Sequence, residues 1–260
     1  MGIGMKILFL NASPKRIFSA SQYFLDLLRI QMAGCETKGI KLSGPNVYGE
    51  IFNFFKTIDA LVIALPVYVD GVPSHVLKFL AEAEKFCKDN NCCFKLYVIS
   101  NCGFFEGRQC KNVLAIMRSF CNAAGLQWGA GVGIGAGEML SFLRLSGPIF
   151  ELAKLLLAVT FFILNKNLIG GFAGYDWITV LIDMLVFFAL SFGLFFSLFK
   201  MHRIIRKEKT APDFYIGPTL CPRFMFSFFA CGYWIIRAAY HGTGLWQLYK
   251  PGIATARKEK

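Results

Sequence analysis

The chain has 260 residues, 55% of them hydrophobic and 17% charged, with a formal charge of +12. It is long enough for one large domain, or for one domain with an appendage. The charge is uneven. Residues 1–150 carry 15 Lys/Arg against 10 Asp/Glu, residues 151–199 carry two Lys against three acids, and residues 200–260 carry 11 Lys/Arg against three acids. A basic tail beside an apolar segment points to a cytoplasmic membrane flank rather than to nucleic acid. No zinc finger, helix-turn-helix or base-stacking pattern supports a nucleic-acid partner. The nine cysteines are scattered without a Cys-x-x-Cys pair, and the N-terminus runs directly into a strand with no export signal. Reduced thiols in a cytosolic domain are therefore expected.

Lys6–Leu10 is short, apolar and bounded by a turn signal, as a buried strand should be. The spacing predicts a helix over Ser19–Met32 with Tyr23, Leu27 and Ile30 inward. A weak strand at 35–42 and a short helix at Tyr48–Thr57, carrying Ile51, Phe54 and Phe55, follow. Asp59–Leu65 is the clearest strand and stops at Pro66. Ser74 is expected to cap a helix running to about Cys87, with Val76, Leu77 and Leu80 inward. Phe94–Ser100 reads as a fourth strand. Gly107–Ala124 reads as a helix with Val113, Ile116, Met117 and Phe120 inward, and Leu126–Gly131 as a fifth strand. Alternation at this spacing gives an α/β fold with a doubly wound, five-stranded parallel sheet. Such sheets bind ligands outside the carboxyl ends of their strands, so the loops 11–19, 66–73 and 101–107 should converge on one crevice.

After Gly137 the texture changes. Pro148–Leu164 has a helical pattern, Asn165–Tyr175 is a Gly- and Asn-rich turn, and Trp177–Phe199 holds one charge, Asp183. The last stretch is roughly 34 Å long as a helix, against a hydrocarbon core of about 30 Å. Lys200, Arg203, Arg206 and Lys207 follow it directly. Asp183 reads as a tolerated near-interface residue or a partner of the neighbouring helix. The expected organisation is a domain over 1–145, hydrophobic helices over 146–200 and a basic tail over 201–260. Charge asymmetry favours a membrane hairpin. A single span, with Pro148–Leu164 packed on the sheet, and helices lying on the membrane surface or pairing in a dimer are the alternatives.

The first loop carries the chemistry. A phosphate needs several N–H and O–H donors. Ser13, Ser19 and Ser21 supply hydroxyls, the helix start at Ser19–Ser21 supplies N–H groups, and Lys15 or Arg16 supplies charge. It is not a Walker loop. On its own residues the loop is as well read as a Ser-capped helix. The Gly-x-Gly-x-x-Ala string at Gly131 follows the fifth strand, not the first, and is expected to be a flexible loop over the site. His75, His202 and His241 are dispersed and form no metal set. Cys102 is better read as a small buried filler than as a flavin contact. Cys92–Cys93 makes no iron–sulfur pattern. No metal, general acid or general base is expected.

Leu10-Asn11-Ala12-Ser13-Pro14-Lys15, followed by Ser19-Ala20-Ser21, resembles the phosphate loop of flavodoxin-like NAD(P)H-dependent FMN reductases. Pro66-Val67-Tyr68-Val69 resembles that family's loop along the isoalloxazine, and Asn101-Cys102-Gly103-Phe104-Phe105 resembles the loop on the flavin's other side. The three motifs cover about residues 5–140. The resemblance implies a flavodoxin-like fold and bound FMN, held at its phosphate by Ser13, Lys15, Ser19, Ala20 and Ser21 and at its ring by the other two loops. It implies NADPH or NADH as electron donor and a separate electron acceptor. An apolar segment beside such a domain makes a quinone or another membrane redox partner a natural acceptor, with membrane lipid as a further partner and the flavin domain in the cytoplasm. Many members of the family are dimers, so the resemblance also points to a homodimer.

Two other functions fit the same fold. One is a flavodoxin-like electron carrier without a nicotinamide site. The other is a non-catalytic, membrane-anchored module that has lost flavin. The latter is motivated by Ala12, which stands where the family carries Gly, and by Ile17 and Phe18, which replace small or polar residues.

Overall fold

A computed structural model describes residues 4–17, 19–144, 177–219 and 222–240, together with Leu152, Leu156 and Gly242. The chain divides into two compact units, Met1–Thr219 and Leu220–Lys260. In the first unit the strands are β1 (Lys6–Asn11), β2 (Glu36–Lys41), β3 (Ala60–Pro66), β4 (Lys95–Asn101), β5 (Gln127–Ile134) and β6 (Phe214–Ile216). Among the described residues its helices are α1 (Ala20–Gln31), α2 (Tyr48–Phe55), α3 (Ser74–Asp89), α4 (Lys111–Ala123), α5 (Gly137–Arg144) and α6 (Trp177–Arg206). The second unit holds α7 (Arg223–Tyr240), whose Phe224, Phe228 and Ile236 are exposed.

All strand pairs are parallel, in the order β2-β1-β3-β4-β5-β6. The first five strands have the flavodoxin-like doubly wound order. The inner strands β1, β3 and β4 are buried on both faces, which is why they read as unbroken apolar runs. β2 lies at the edge and is half-exposed, which is why its sequence is weak.

Helices cover both faces. On one face α2, α3 and α4 pack an aromatic-rich core in which Phe52 stacks on Phe86 at 4.7 Å between ring centroids. On the other, α1 packs with Leu194, Leu198, Met201 and Ile205 of α6. The inward faces differ in part from expectation. Ile30, Leu77 and Ile116 are exposed, while Phe24, Phe79 and Leu114 are buried. One apolar position per helix thus lies outside the stripe that meets the sheet. Ser74 begins α3 but does not cap it; the cap position is Pro73, with no side-chain bond.

The sheet has a sixth strand beyond the five expected, and the domain does not end at 145. Residues 201–219, expected in the tail, belong to the first unit. Asp213 holds them there. Its carboxylate accepts from the Gly131 N–H at 2.9 Å, the Trp128 indole N–H at 3.1 Å and Arg118 at 2.6 Å. The place between β5 and β6 where a helix must cover the sheet is taken by the second half of α6. The pattern at Pro148–Leu164, Leu152 and Leu156 apart, and the turn at Asn165–Tyr175 lie outside the described residues.

Gly131 and Gly133 are strand, not a flexible loop. A Cβ at Gly133 would come within 2.7 Å of the Tyr215 ring and within 2.9 Å of Cys110. These glycines let a 3₁₀ turn, Gly107–Cys110, and β6 lie directly against β5.

Candidate functional site at the carboxyl edge of the sheet

Parallel strands place the ends of β1, β3, β4 and β5 along one edge, so the three loops singled out in the sequence lie together there. Asn101 ties them. Its side-chain amide donates to Ser21 Oγ at 2.8 Å and to the Leu65 carbonyl at 3.3 Å, and its own carbonyl accepts from the Val67 N–H at 2.8 Å. One buried residue therefore joins the start of α1 to the ends of β3 and β4.

The first loop is built from β1 outward. Asn11 Oδ1 accepts from the Ser13 N–H at 3.0 Å, and Asn11 Nδ2 donates to Gln22 Oε1 at 2.8 Å. Ser13, Ser19, Ala20 and Ser21 are all buried. Ser19 is the N-cap of α1, accepting from the Gln22 N–H at 3.3 Å. The cap uses an acceptor lone pair and leaves the hydroxyl proton, so capping and anion binding are compatible at this residue. Ala20 packs into the core and offers the site only its backbone. Lys15 pairs with Glu138 at the start of α5, and Lys41 donates to the Lys15 carbonyl at 2.6 Å. Ala12 is fully buried among Leu10, Leu42 and other side chains of the α2–α4 face, opposite α1, so its methyl does not face the loop's helix side. Ile17 is exposed, and Phe18 lies outside the described residues.

The second loop is a tight turn. Tyr68 and Gly71 exchange reciprocal backbone bonds of 3.0 and 2.9 Å. Val69 and Asp70 between them have φ of +47° and +56°. A β-branched residue in the left-handed region is strained, and Val69 is also fully exposed. Pro66 and Val67 are half-buried and Tyr68 is exposed.

The third loop offers the exposed ring of Phe104 and an open Gly103, with Phe105 half-buried behind them. Cys102 points inward. Its thiol lies 3.5 Å from the Glu106 carbonyl, and its backbone bonds Ile134 at 3.0 Å and Gly137 at 2.9 Å. Hydrogen bonding from the Cys110 thiol, and then the Phe104 backbone, hold Cys102 below the ordinary thiol range against the effect of burial. The same pairing and burial push Cys110 up. No group of three metal-ligating side chains occurs among the described residues.

Several contributors were not assigned a part in the site from the sequence. Asn11 and Gln22 shape the first loop, Glu138 meets Lys15, and His75 lies beneath the loop. The His75 Nε2 is buried without a partner. Burial lowers the His75 pKa, and a ring bond to the Ala12 backbone opposes this without prevailing. The position of His75 one residue into α3, directly after the second loop, was its only sequence signal.

No protein-family model matches the chain, and no curated protein sequence matches it. Solved structures resemble about half of it. The Trp repressor binding protein of Bacillus subtilis is 16% identical, with 50% of this chain and 83% of that chain covered and a TM-score of 0.41. The NAD(P)H:quinone oxidoreductase of Methanothermobacter marburgensis is 15% identical, with 54% and 92% covered and a TM-score of 0.43. An NADH:FMN oxidoreductase in its apo form is 14% identical, with 48% and 71% covered and a TM-score of 0.40. These are distant likenesses, and the fold rests on the strand order.

Proposed function

We propose that the chain is an FMN-dependent oxidoreductase that takes electrons from NADPH or NADH and passes them to a separate acceptor. The observation that carries this is the joining of three loops by Asn101 at the carboxyl edge, with a helix N-terminus among them. The phosphate would be held by N–H groups at the start of α1, by the hydroxyls of Ser13, Ser19 and Ser21, and by the charge of Lys15. The ring would lie between Pro66–Val69 and Asn101–Phe105, where the exposed Tyr68 and Phe104 offer aromatic surface. When bound, the flavin supplies the redox chemistry. The residues of the chain bind it, orient it and limit its contact with water. Glu138, paired with Lys15, makes the phosphate end less positive than a free lysine would.

The buried methyl of Ala12 removes one motive for a flavin-free module. A membrane attachment through α6 is part of the same proposal, with the flavin domain on the cytoplasmic side. Val180–Arg206 is long and apolar enough to cross a membrane by length and composition, but its second half, Leu194–Ile205, is packed on the sheet, so the attachment falls to the first half. Charge asymmetry along the chain favours a hairpin over a single span.

The test is the absorbance spectrum of detergent-purified full chain with added FMN, before and after NADPH. A saturable flavin band that bleaches with NADPH is expected. No flavin binding at any concentration would overturn the proposal, and binding without bleaching by NADPH or NADH would leave an electron carrier.

A further inference from the structure

The direction of α6 fixes where its uncovered half goes. At its C-terminal end Arg206 donates to the Ala33 carbonyl at 2.9 Å, next to the start of β2, and Ala211 donates to the Gly129 carbonyl at 2.8 Å, near the start of β5. These contacts lie at the amino edge of the sheet. Further up, the Gly193 N–H donates to Thr219 Oγ1 at 2.7 Å and the Thr219 N–H donates to the Leu190 carbonyl at 3.3 Å. Thr219 is three residues past the end of β6, so this level is the carboxyl edge. Gly193 makes the approach possible, because a Cβ there would sit 2.6 Å from Thr219 Oγ1.

Lengths agree. A helix of 30 residues spans about 45 Å. The longest strand has 8 residues and spans about 26 Å. The excess, roughly 20 Å, is Trp177 to Ala189, and it projects past the edge that carries the candidate site. Its exposed side chains are apolar: Leu181, Ile182, Leu185, Val186 and Phe188. Asp183 within it is half-buried and engaged.

We infer that the projecting half of α6 enters a lipid bilayer with the carboxyl edge of the sheet against the headgroups, so that the candidate crevice opens at the membrane surface. A contiguous exposed apolar surface of this kind marks a contact with a membrane or another apolar partner. Arg16 and Arg108, exposed in loops of the same edge, suit anionic headgroups, beside the acids Asp70, Glu106 and Glu138. The orientation does not rest on the function proposed above.

Orientation is tested first, on the full chain in vesicles of phosphatidylcholine and phosphatidylglycerol, with no flavin or nicotinamide. A fluorophore is placed at Asp70→Cys on the carboxyl edge, in a Cys93→Ser, Cys221→Ser and Cys231→Ser background. A second sample carries it on native Cys93, exposed just before β4 at the amino edge, with Cys221→Ser and Cys231→Ser. Headgroup nitroxide lipids should quench the Asp70→Cys label several-fold more than the Cys93 label. Equal quenching, the reverse order, or a protein that self-associates without binding vesicles overturns the inference. A Leu181→Lys/Leu185→Lys/Phe188→Lys variant should lose about a hundredfold or more in partitioning, as charges at bilayer depth require, with its circular dichroism intact. Vesicle binding with the expected orientation but no flavin binding sinks the proposed function and leaves the orientation standing.

Discussion

The two halves of α6 are both predominantly apolar, with Lys200, His202 and Arg203 confined to the second, and they meet different surroundings. From Leu194 to Ile205 the helix buries Leu194, Leu198, Met201 and Ile205 against α1 and the sheet and exposes its outer face at Phe196 and Phe199. From Leu181 to Phe192 it leaves Leu181, Leu185, Phe188 and Phe192 uncovered. Hydrophobicity alone does not separate a sheet cover from a membrane segment. What separates them is whether a second surface of the right length stands opposite, and the sheet ends where Gly193 meets Thr219.

The sharpest way to break this comparison is to make one substitution in each half. Leu198→Ala removes a fully buried side chain and should cost about 2–5 kcal/mol in denaturant unfolding of the detergent-solubilised chain. Leu185→Ala, on the exposed surface, should change the same measurement by no more than about 0.5 kcal/mol while weakening vesicle binding. Equal effects on stability would mean that the helix is one structural body throughout. Asn101→Ala comes next. It leaves Ser21 without its donor and unties the loops, so about 1–3 kcal/mol of stability should be lost. FMN titration should show weaker binding, with vesicle binding unchanged.

Most of the parallel sheet was legible because its inner strands are buried on both faces and announce themselves as Ile-Leu-Phe-Leu, Ala-Leu-Val-Ile-Ala-Leu and Leu-Tyr-Val-Ile. The sixth strand was not. Phe-Tyr-Ile is three residues long and is held by Asp213, 82 positions from its partner Gly131, and no local pattern encodes that contact. The alternating glycines of β5 misled for a related reason. They look like loop residues until the turn and strand packed on them are known. At the site, Ser13, Ser19 and Ser21 were readable from a loop between strand and helix, but Glu138 opposite Lys15 depends on a separation of 123 residues. The burial of Cys102, by contrast, agrees with its reading as a small buried filler.

Val69→Gly sharpens the comparison from the stabilising side. The valine bears a left-handed backbone that costs a non-glycine residue about 1–2 kcal/mol. Glycine relieves this and gives back about 0.4–1 kcal/mol through the unfolded chain. A net gain of about 0.5 kcal/mol is expected, confined to the α/β unit, and a loss of stability would show that the valine side chain is held by the site.

The smallest effect is on pH dependence. Burial holds the His75 pKa below its ordinary 6.5. The unfolded chain therefore takes up this proton before the folded one does. Stability from the neutral imidazole is fully present above about pH 6.5 and is lost as pH falls from there toward the folded-state value. The urea midpoint of the full chain should fall more between pH 7.5 and pH 5.5 than that of His75→Gln, measured side by side. Parallel slopes would mean that the half-buried ring is freely protonated in the folded state. Partitioning of the projecting half of α6 into neutral phosphatidylcholine vesicles should be the same in both proteins across this range, because His75 acts on the packed sheet and makes no contribution to the lipid-facing surface.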